Sequence, residues 1–401
     1  MTTSTAPRDA QRQLLLFVVA GEHSGDQLGG KLMAAINARL GGEVRWLGVG
    51  GEHMAGQGLA SLFPLADVAV MGPLSILPRL PRIVSRVRMT ARVAVEARPD
   101  VVIIIDSPEF THPIAKRVRR RLPGVPVVDY VSPSVWAWRP GRAPKMKRYV
   151  DHVLALLPFE PEVHHRLGGP PCTYVGHPLI EKLDWIRARD PQELAHRTGL
   201  DRSRPILAVL PGSRPSEVGR LMQPFGEAVG LLKARMPDLQ VIIPAVGSVR
   251  PLIEAALKSW PLQPVLIEGE ADKYAAFQLA RAAMAASGTV TLDLALAGTP
   301  MAVAYKVDAV AIRLRFLVKV QSIVLANLVL GENVFPELIQ EEVTAAKLAA
   351  AVGPLLGETP ERARQLAALR QIPFRMALAS GTPSEAAAEI VLGCVRRDAS
   401  G

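Results

Sequence analysis

Asp106 ends a run of five apolar residues, 101–105, and opens the sequence DSPEF. A carboxylate at the carboxyl end of a buried strand can take a proton as a general base, or it can merely cap the turn that follows. A second cluster is the turn after 206–210, where Gly212, Ser213 and Arg214 lead into a helix. Free backbone N–H groups at the helix start and a planar guanidinium suit a diphosphate. It is not a P-loop, because the Gly-Lys-Ser/Thr ending is absent. Ser287, Gly288 and Thr289 form a third strand-to-helix turn, with Asp293 one turn into the helix. Hydroxyls and an acid there can bind phosphate oxygens and a ribose diol, or form an ordinary helix start. The chain contains no Asp-x-Asp pair, so no metal is expected and a leaving diphosphate would be neutralised by Arg214 and helix dipoles.

Two further loops follow strand-like runs. Gly21, Glu22, Ser24, Gly25 and Asp26 belong to GEHSGD (21–26), read as a substrate-pocket loop or a plain tight turn. Its spacing is not the dinucleotide fingerprint, and its acids disfavour a pyrophosphate. YVSPSVWAW (130–138) places Trp136 and Trp138 ahead of Arg139, Arg142, Lys145, Lys147 and Arg148. This is either an aromatic and basic rim or a packing segment.

These turns need strands to lead into them. Apolar runs of strand length recur at 14–20, 44–50, 101–105, 125–131, 152–157, 206–210, 240–246, 264–268, 282–287 and 301–305, with helix-like segments between. Continuous rather than alternating apolar runs indicate parallel sheets covered on both faces. At 401 residues the chain exceeds one domain of ~100–200 residues. The expected fold is α/β, with two doubly wound Rossmann-like domains facing a cleft that the strand carboxyl ends surround. The expected division is a leader at 1–12, a first domain at 13–185, a second at 186–380, and a C-terminal helix and tail at 381–401. The polar stretch 184–204 reads as the connection.

Apolar residues make up 49% of the chain, which excludes disorder. Its net charge of +10 calls for an anionic partner. Between residues 70 and 150, 16 basic side chains face five acidic ones, so this segment carries +11 and the rest of the chain sums to −1. No nucleic-acid-binding motif or basic tail is present and aromatic residues are only 5%, so nucleic acid is not the expected partner. Cys172 and Cys394 lie far apart without metal-type spacing, which argues against a disulfide or zinc site and fits a reducing compartment. The first apolar run passes straight into a glycine loop, as a strand does and a signal peptide does not. No run reaches the ~18 apolar residues of a membrane span, so membrane contact would be peripheral.

GEHSGD, VMG (70–72), DSPEF, YVSPSVWAW, VGHP (175–178), LPGSRPSEV (210–218), ASGTVTLD (286–293), MAVAY (301–305) and NVFPELIQEE (333–342) stand in an order that resembles the lipid-A-disaccharide synthases. These are inverting, metal-independent glycosyltransferases with two Rossmann-like domains of the GT-B type. The resemblance implies UDP-2,3-diacylglucosamine as donor, 2,3-diacylglucosamine 1-phosphate as acceptor, and a β(1→6) disaccharide 1-phosphate and UDP as products of lipid A assembly. It implies no cofactor. Asp106 then resembles the base for the acceptor's 6-hydroxyl, and Gly212 to Arg214 and Ser287 to Thr289 the UDP-binding turns. Asp293, Asn327, Glu337 and Gln340 resemble further donor-site residues. Two positions depart from the family pattern: Asp293 replaces a Glu and His23 an Ala. The alternative is another two-domain UDP-sugar enzyme, an epimerase or a peptidoglycan-type transferase.

Residues 69–92 sit on no strand end. Val70, Met71, Leu74, Ile76 and Leu77 form an apolar stretch, and Arg79, Arg82 and Arg86 lie just after it. An apolar wedge beside arginines suits an anionic membrane surface, whereas an amphipathic core helix with a solvated basic face is the plainer reading. Acyl-chain substrates favour the wedge and a peripheral place on the inner face of the cytoplasmic membrane. Family members can pair through their C-terminal segments, so a homodimer is compatible with the resemblance.

Overall fold

The computed structural model describes residues 13–69, 79–307 and 322–398. The chain divides into two compact units, one formed by 1–178 with 378–401 and the other by 179–377.

The first unit is built on a seven-stranded parallel sheet. Its strands are β1 (Leu14–Ala20), β2 (Val44–Val49), β3 (Ala60–Ser61), β4 (Val101–Ile105), β5 (Val127–Tyr130), β6 (His152–Ala155) and β7 (Cys172–Tyr174), in the order β3-β2-β1-β4-β5-β6-β7. β4 is buried along its whole length because helices cover both faces of the sheet. The helices His23–Arg39 and Pro383–Asp398 pack Leu32, Ile36, Ala388 and Val391 against one face. The helices Leu80–Ala97 and Pro108–Arg121 pack Val87, Ala91, Ile114 and Val118 against the other.

The second unit carries a six-stranded parallel sheet of β8 (Ile206–Leu210), β9 (Gln240–Pro244), β10 (Val265–Ile267), β11 (Ala282–Ala286), β12 (Met301–Tyr305) and β13 (Glu337–Ile339), ordered β10-β9-β8-β11-β12-β13. The helices Pro215–Arg235 and Ala345–Leu356 bury Phe225, Val229, Leu348 and Val352 in its core. In each sheet the strand order reverses beside the first strand, between β1 and β4 and between β8 and β11. Ligands of open α/β sheets bind at such switch points.

Two organisational expectations shift. The stretch 184–204 belongs to the second unit: Asp190 caps the helix Pro191–Thr198 and Gly199 ends it. Gln278 also donates to the Ile186 carbonyl at 2.5 Å, fastening this stretch to the helix Glu270–Leu279. The chain crosses between units at 178/179 and 377/378, and its last helix returns to the first unit. Among the described residues no helix is long and apolar enough to cross a membrane.

Candidate functional site

At the switch point of the first sheet, β1 and β4 pair from Leu16↔Val101 to Ala20↔Ile105, so the loops after them are neighbours. Asp106 (φ 54°) and Ser107 (φ 43°) both adopt the left-handed conformation. Non-glycine residues hold it at a cost of ~1–3 kcal/mol each, and such strain collects at functional sites. The Ser107 N–H donates to Asp106 Oδ1 at 2.7 Å, while Ser24 Oγ donates to Oδ2 at 3.3 Å. Ser107 Oγ in turn donates to Glu22 at 3.1 Å. Gly21 lets the loops approach, since a Cβ there would lie 2.4 Å from that of Ser107. Glu22 is half-buried and Ser24 exposed, so the first loop presents these two to Asp106.

Asp26 takes a different place from the one expected. It is fully buried, and its oxygens accept from the N–H groups of Gly51 (2.6 Å), His53 (3.0 Å) and Met54 (3.1 Å). It caps the short helix Glu52–Ala55. Gly25 is likewise buried, against the Ile105 carbonyl. His23 is exposed, its ring 5.6 Å from that of His53.

The two tryptophans divide the readings offered for them. Trp136 packs edge-on against Phe159 at 5.5 Å and donates to Glu160 at 3.2 Å. Trp138 is exposed, with the Arg139 guanidinium stacked 4.0 Å from its ring centre. Glu160 also accepts from the Leu157 N–H at 3.0 Å. Burial pushes its carboxyl up to about 7, against the opposing pull of these hydrogen bonds. Sequence reasoning passed over a second buried set. Asp129 Oδ2 lies 3.2 Å from His112 Nε2, and His112 Nδ1 lies 3.0 Å from the Tyr149 hydroxyl. An Asp inside the run 125–131 was the available signal, because a buried carboxylate requires a partner.

In the second unit the turns after β8 and β11 lie side by side, as their strands pair from Ala282↔Leu207 to Ala285↔Leu210. Arg214 is the N-cap of the helix Pro215–Arg235. Glu217 accepts from the N–H groups of Ser213 (3.1 Å) and Arg214 (3.3 Å), and Arg214 Nη1 donates to its other oxygen at 2.8 Å. A carboxylate thus occupies the donors expected for an anion, while the Arg214 side chain stays 63% exposed and able to reach another. Thr289 is exposed, but Ser287 Oγ donates to the Ile323 carbonyl at 2.8 Å.

Asp293, expected at a ribose, is buried under the donors of its own unit: Tyr274 at 2.6 Å and Lys273 at 3.2 Å. Both oxygens are held within the fold, and the shorter side chain does not reach out of it. Asn327 is buried with both ends of its amide committed, donating to Glu337 (2.9 Å) and the Phe335 carbonyl (3.0 Å) and accepting from Val334 and Phe335. Glu337 further accepts from the Ile323 N–H at 2.9 Å and from Ser322. Gln340, left-handed at φ 55° and buried, accepts from the Val307 N–H at 3.4 Å. The structure therefore gathers Ser287, Asn327 and Glu337 around 322–323 as scaffold.

Val70, Met71, Leu74, Ile76 and Leu77 lie outside the described residues. Arg79 is exposed at the start of the helix Leu80–Ala97, with Leu80 and Val84 exposed on its first turns. Arg82 lies 3.5 Å from Asp67 and remains largely exposed. Arg86 is not free for a headgroup: it pairs with Asp67 at 2.6 Å and stacks 4.7 Å from the Phe63 ring.

The family model described as Lipid-A-disaccharide synthetase matches residues 16–391. A lipid-A-disaccharide synthase from Rhodopseudomonas palustris is 51% identical over 99% of this chain and 100% of its own length. One from Nitrobacter winogradskyi is also 51% identical, over 95% of this chain and 96% of its own length. Among solved structures, the UDP-GlcNAc 2-epimerase from Neisseria meningitidis bound to UDP-GlcNAc superposes with a TM-score of 0.59 at 12% identity, covering 96% of this chain and 99% of that one. The calicheamicin glycosyltransferase gives 0.57 at 18% identity, over 96% and 99% of the two chains. Likeness at such low identity speaks for the fold alone.

Proposed function

This chain belongs to the lipid-A-disaccharide synthetase family, and on that premise we propose that it transfers 2,3-diacylglucosamine from UDP-2,3-diacylglucosamine to 2,3-diacylglucosamine 1-phosphate, with Asp106 as the base. The products are a β(1→6) disaccharide 1-phosphate and UDP. The observation that carries the base assignment is the place of Asp106 at the end of β4, beside the β1 loop, on a strained backbone. One carboxylate oxygen is anchored by the Ser107 N–H, and among the described residues the other has only the long contact from Ser24. That second oxygen is the one to receive a hydroxyl proton.

The reaction is a single in-line displacement. As Asp106 takes the proton, the acceptor's O6 forms a bond to the anomeric carbon, and the carbon–oxygen bond to the diphosphate breaks with its electron pair. An α-linked donor becomes a β-linked product without a covalent enzyme intermediate. We assign the departing diphosphate to the turn after β8, where Arg214 and the Ser213 N–H replace Glu217 as their anion. Gly288 and Thr289 on the neighbouring turn complete the donor side.

Acylated substrates require access to a lipid phase. We place the segment 69–92 at the anionic inner face of the cytoplasmic membrane, a reading supported in its described part by the exposed Leu80 and Val84 beside Arg79 and Arg82. Incubation with both substrates, followed by mass spectrometry, is expected to yield the disaccharide 1-phosphate and one UDP for each. Release of UDP without disaccharide, or an isomerised UDP-sugar, overturns the reading.

A further inference from the structure

The first unit holds a cavity of about 510 Å³ that takes no part in the displacement described above. Its lining includes four cations, Lys116, Arg139, Arg142 and Lys145, against one carboxylate, Glu109. Each element that builds it has a local reason. The helix Pro108–Arg121 begins two residues after Asp106 and presents Glu109, His112 and Lys116 at three- and four-residue spacing, hence on one face. The opposite wall comes from the turn after YVSPSVWAW and the short helix Arg142–Met146.

The cations are positioned rather than loose. Arg139 has a left-handed backbone (φ 53°), stacks on Trp138 and lies 3.4 Å from Glu109. Arg142, mostly buried, donates to Glu109 at 2.5 Å. Lys116 sits 4.9 Å from the centre of the Tyr149 ring. Tyr149 is held by His112, and His112 by Asp129, so two members of the buried polar set, His112 and Tyr149, line this cavity with Asp129 behind them. One carboxylate does not neutralise four cations. Lys116 registers the excess, since burial and then repulsion from Arg142 and Lys145 hold its ammonium below the usual lysine range, with only Glu109 opposing.

We propose that this cavity binds the phosphate monoester of the acceptor, which orients the sugar for attack. The inference rests on the acceptor named in the proposed function. Converging cations around a concave site suit a tetrahedral dianion, whose several oxygens can each take a charge-assisted hydrogen bond. Position agrees with this chemistry. The anomeric phosphate and the 6-hydroxymethyl group sit on C1 and C5, the two carbons that flank the ring oxygen, so phosphate and 6-hydroxyl lie within one sugar's width of each other. Pro108 and Glu109, which line the cavity, follow Asp106 by two and three residues, so the end of the cavity where Arg139 and Arg142 meet Glu109 is close to the base. With the phosphate held at that end, the 6-hydroxyl of the same sugar is directed toward the base.

The test compares the full-length protein with Arg142→Gln and, on the exposed rim, Lys145→Gln. The rate ratio for 2,3-diacylglucosamine 1-phosphate over 2,3-diacylglucosamine lacking the phosphate is measured in detergent micelles, together with the donor KM. The wild type is expected to favour the phosphorylated acceptor, and each variant to narrow that ratio by about 10–100-fold, through acceptor KM rather than donor KM. An unchanged ratio, with both acceptors losing equally, overturns the proposal. So does a rise in donor KM, which would assign the cavity to the nucleotide diphosphate. A defect seen only on anionic vesicles and absent in micelles overturns it in favour of a lipid headgroup. If the wild type makes no disaccharide from either acceptor, the proposed function fails instead. The cavity is then judged by glucosamine 1-phosphate binding to wild type and Arg142→Gln: weaker binding in the variant supports the site, and equal binding overturns it.

Discussion

The two units share one strand order through their middle, yet they build their switch points from different residues. In the first, the backbone turns left-handed at Asp106, Ser107 and Val131, all with side chains. In the second, the corresponding turns use Gly212 (φ 111°) and Gly288 (φ 147°). A side chain in that conformation is strained, whereas glycine adopts it freely. The first unit therefore accepts strain to hold side-chain chemistry at the strand ends. The second turns on glycine instead, and the N–H groups of its first turn are held by Glu217, the carboxylate that the proposed reading has a diphosphate displace.

The largest effect that sharpens this contrast is expected at Asp106. Asn tolerates the left-handed region, so Asp106→Asn should fold normally while turnover falls ~10²–10⁴-fold for want of a base. UDP affinity, measured by calorimetry, should stay at the wild-type value. Near-normal turnover removes the special status of the first switch point.

The buried titratable groups differ in the same sense. Within the described residues of the first unit, atoms of His112, Asp129 and His164 lack a well-aligned hydrogen bond, whereas in the second Asp293 is fully partnered and the buried atom without a partner, Trp260 Nε1, does not titrate. Sensitivity of folding to pH should thus lodge in the first unit, with Glu160 its main source. Its carboxyl, at about 7 in the fold against 4.5 ordinarily, keeps its proton where the unfolded chain has lost it. The contribution is complete below 4.5 and is lost as pH rises through 7, a change on the order of 3 kcal/mol. His164 acts on the acid side: burial lowers its pKa, so stability falls as the unfolded chain takes up the proton first. Taking the stability difference between wild type and Glu160→Gln isolates the glutamate. That difference should shift against the wild type from pH 5 to pH 8, and a constant difference refutes the assignment.

Much of this was legible in the amino-acid pattern, and the gaps have physical causes. The ten apolar runs correspond to β1, β2, β4 to β6 and β8 to β12, and the signal is strongest where both faces are covered, as in β4, β8 and β11, which are buried throughout. The strands that escaped notice, β3, β7 and β13, are sheet edges of two or three residues, too short to impose a pattern. Asp106 and Arg214 could be located because strand ends are readable. The commitments of Asp26, Asp293 and Asn327 could not be, since Gly51, Tyr274 and Phe335 reach them through the fold. Chain order likewise hides that the last helix completes the first core.

Arg214 tests the backbone side of the comparison. Arg214→Ala removes one charge-assisted hydrogen bond to a bound diphosphate and leaves the turn's N–H groups in place. UDP should bind about 10–100-fold more weakly by calorimetry, and the acceptor KM should not change. An unchanged UDP dissociation constant means that the turn after β8 is not the diphosphate site.

The smallest effects test the strain itself, by exchanging the two kinds of turn. A Cβ on Gly212 would lie 2.6 Å from Glu217 Cβ, in a conformation that side chains rarely adopt. Gly212→Ala should therefore destabilise by about 1–3 kcal/mol and weaken UDP binding with it. Ser107→Gly works in the opposite direction. It relieves a left-handed serine worth ~1 kcal/mol while giving up the hydrogen bond to Glu22, of similar size, and it loosens the unfolded chain. Its unfolding free energy should thus stay within about 1 kcal/mol of wild type, although turnover falls as Asp106 loses its fixed neighbour. Chemical denaturation of both variants decides the matter. A Ser107→Gly loss as large as that of Gly212→Ala would mean the first turn carries no relievable strain, and the two switch points would differ in residue type alone.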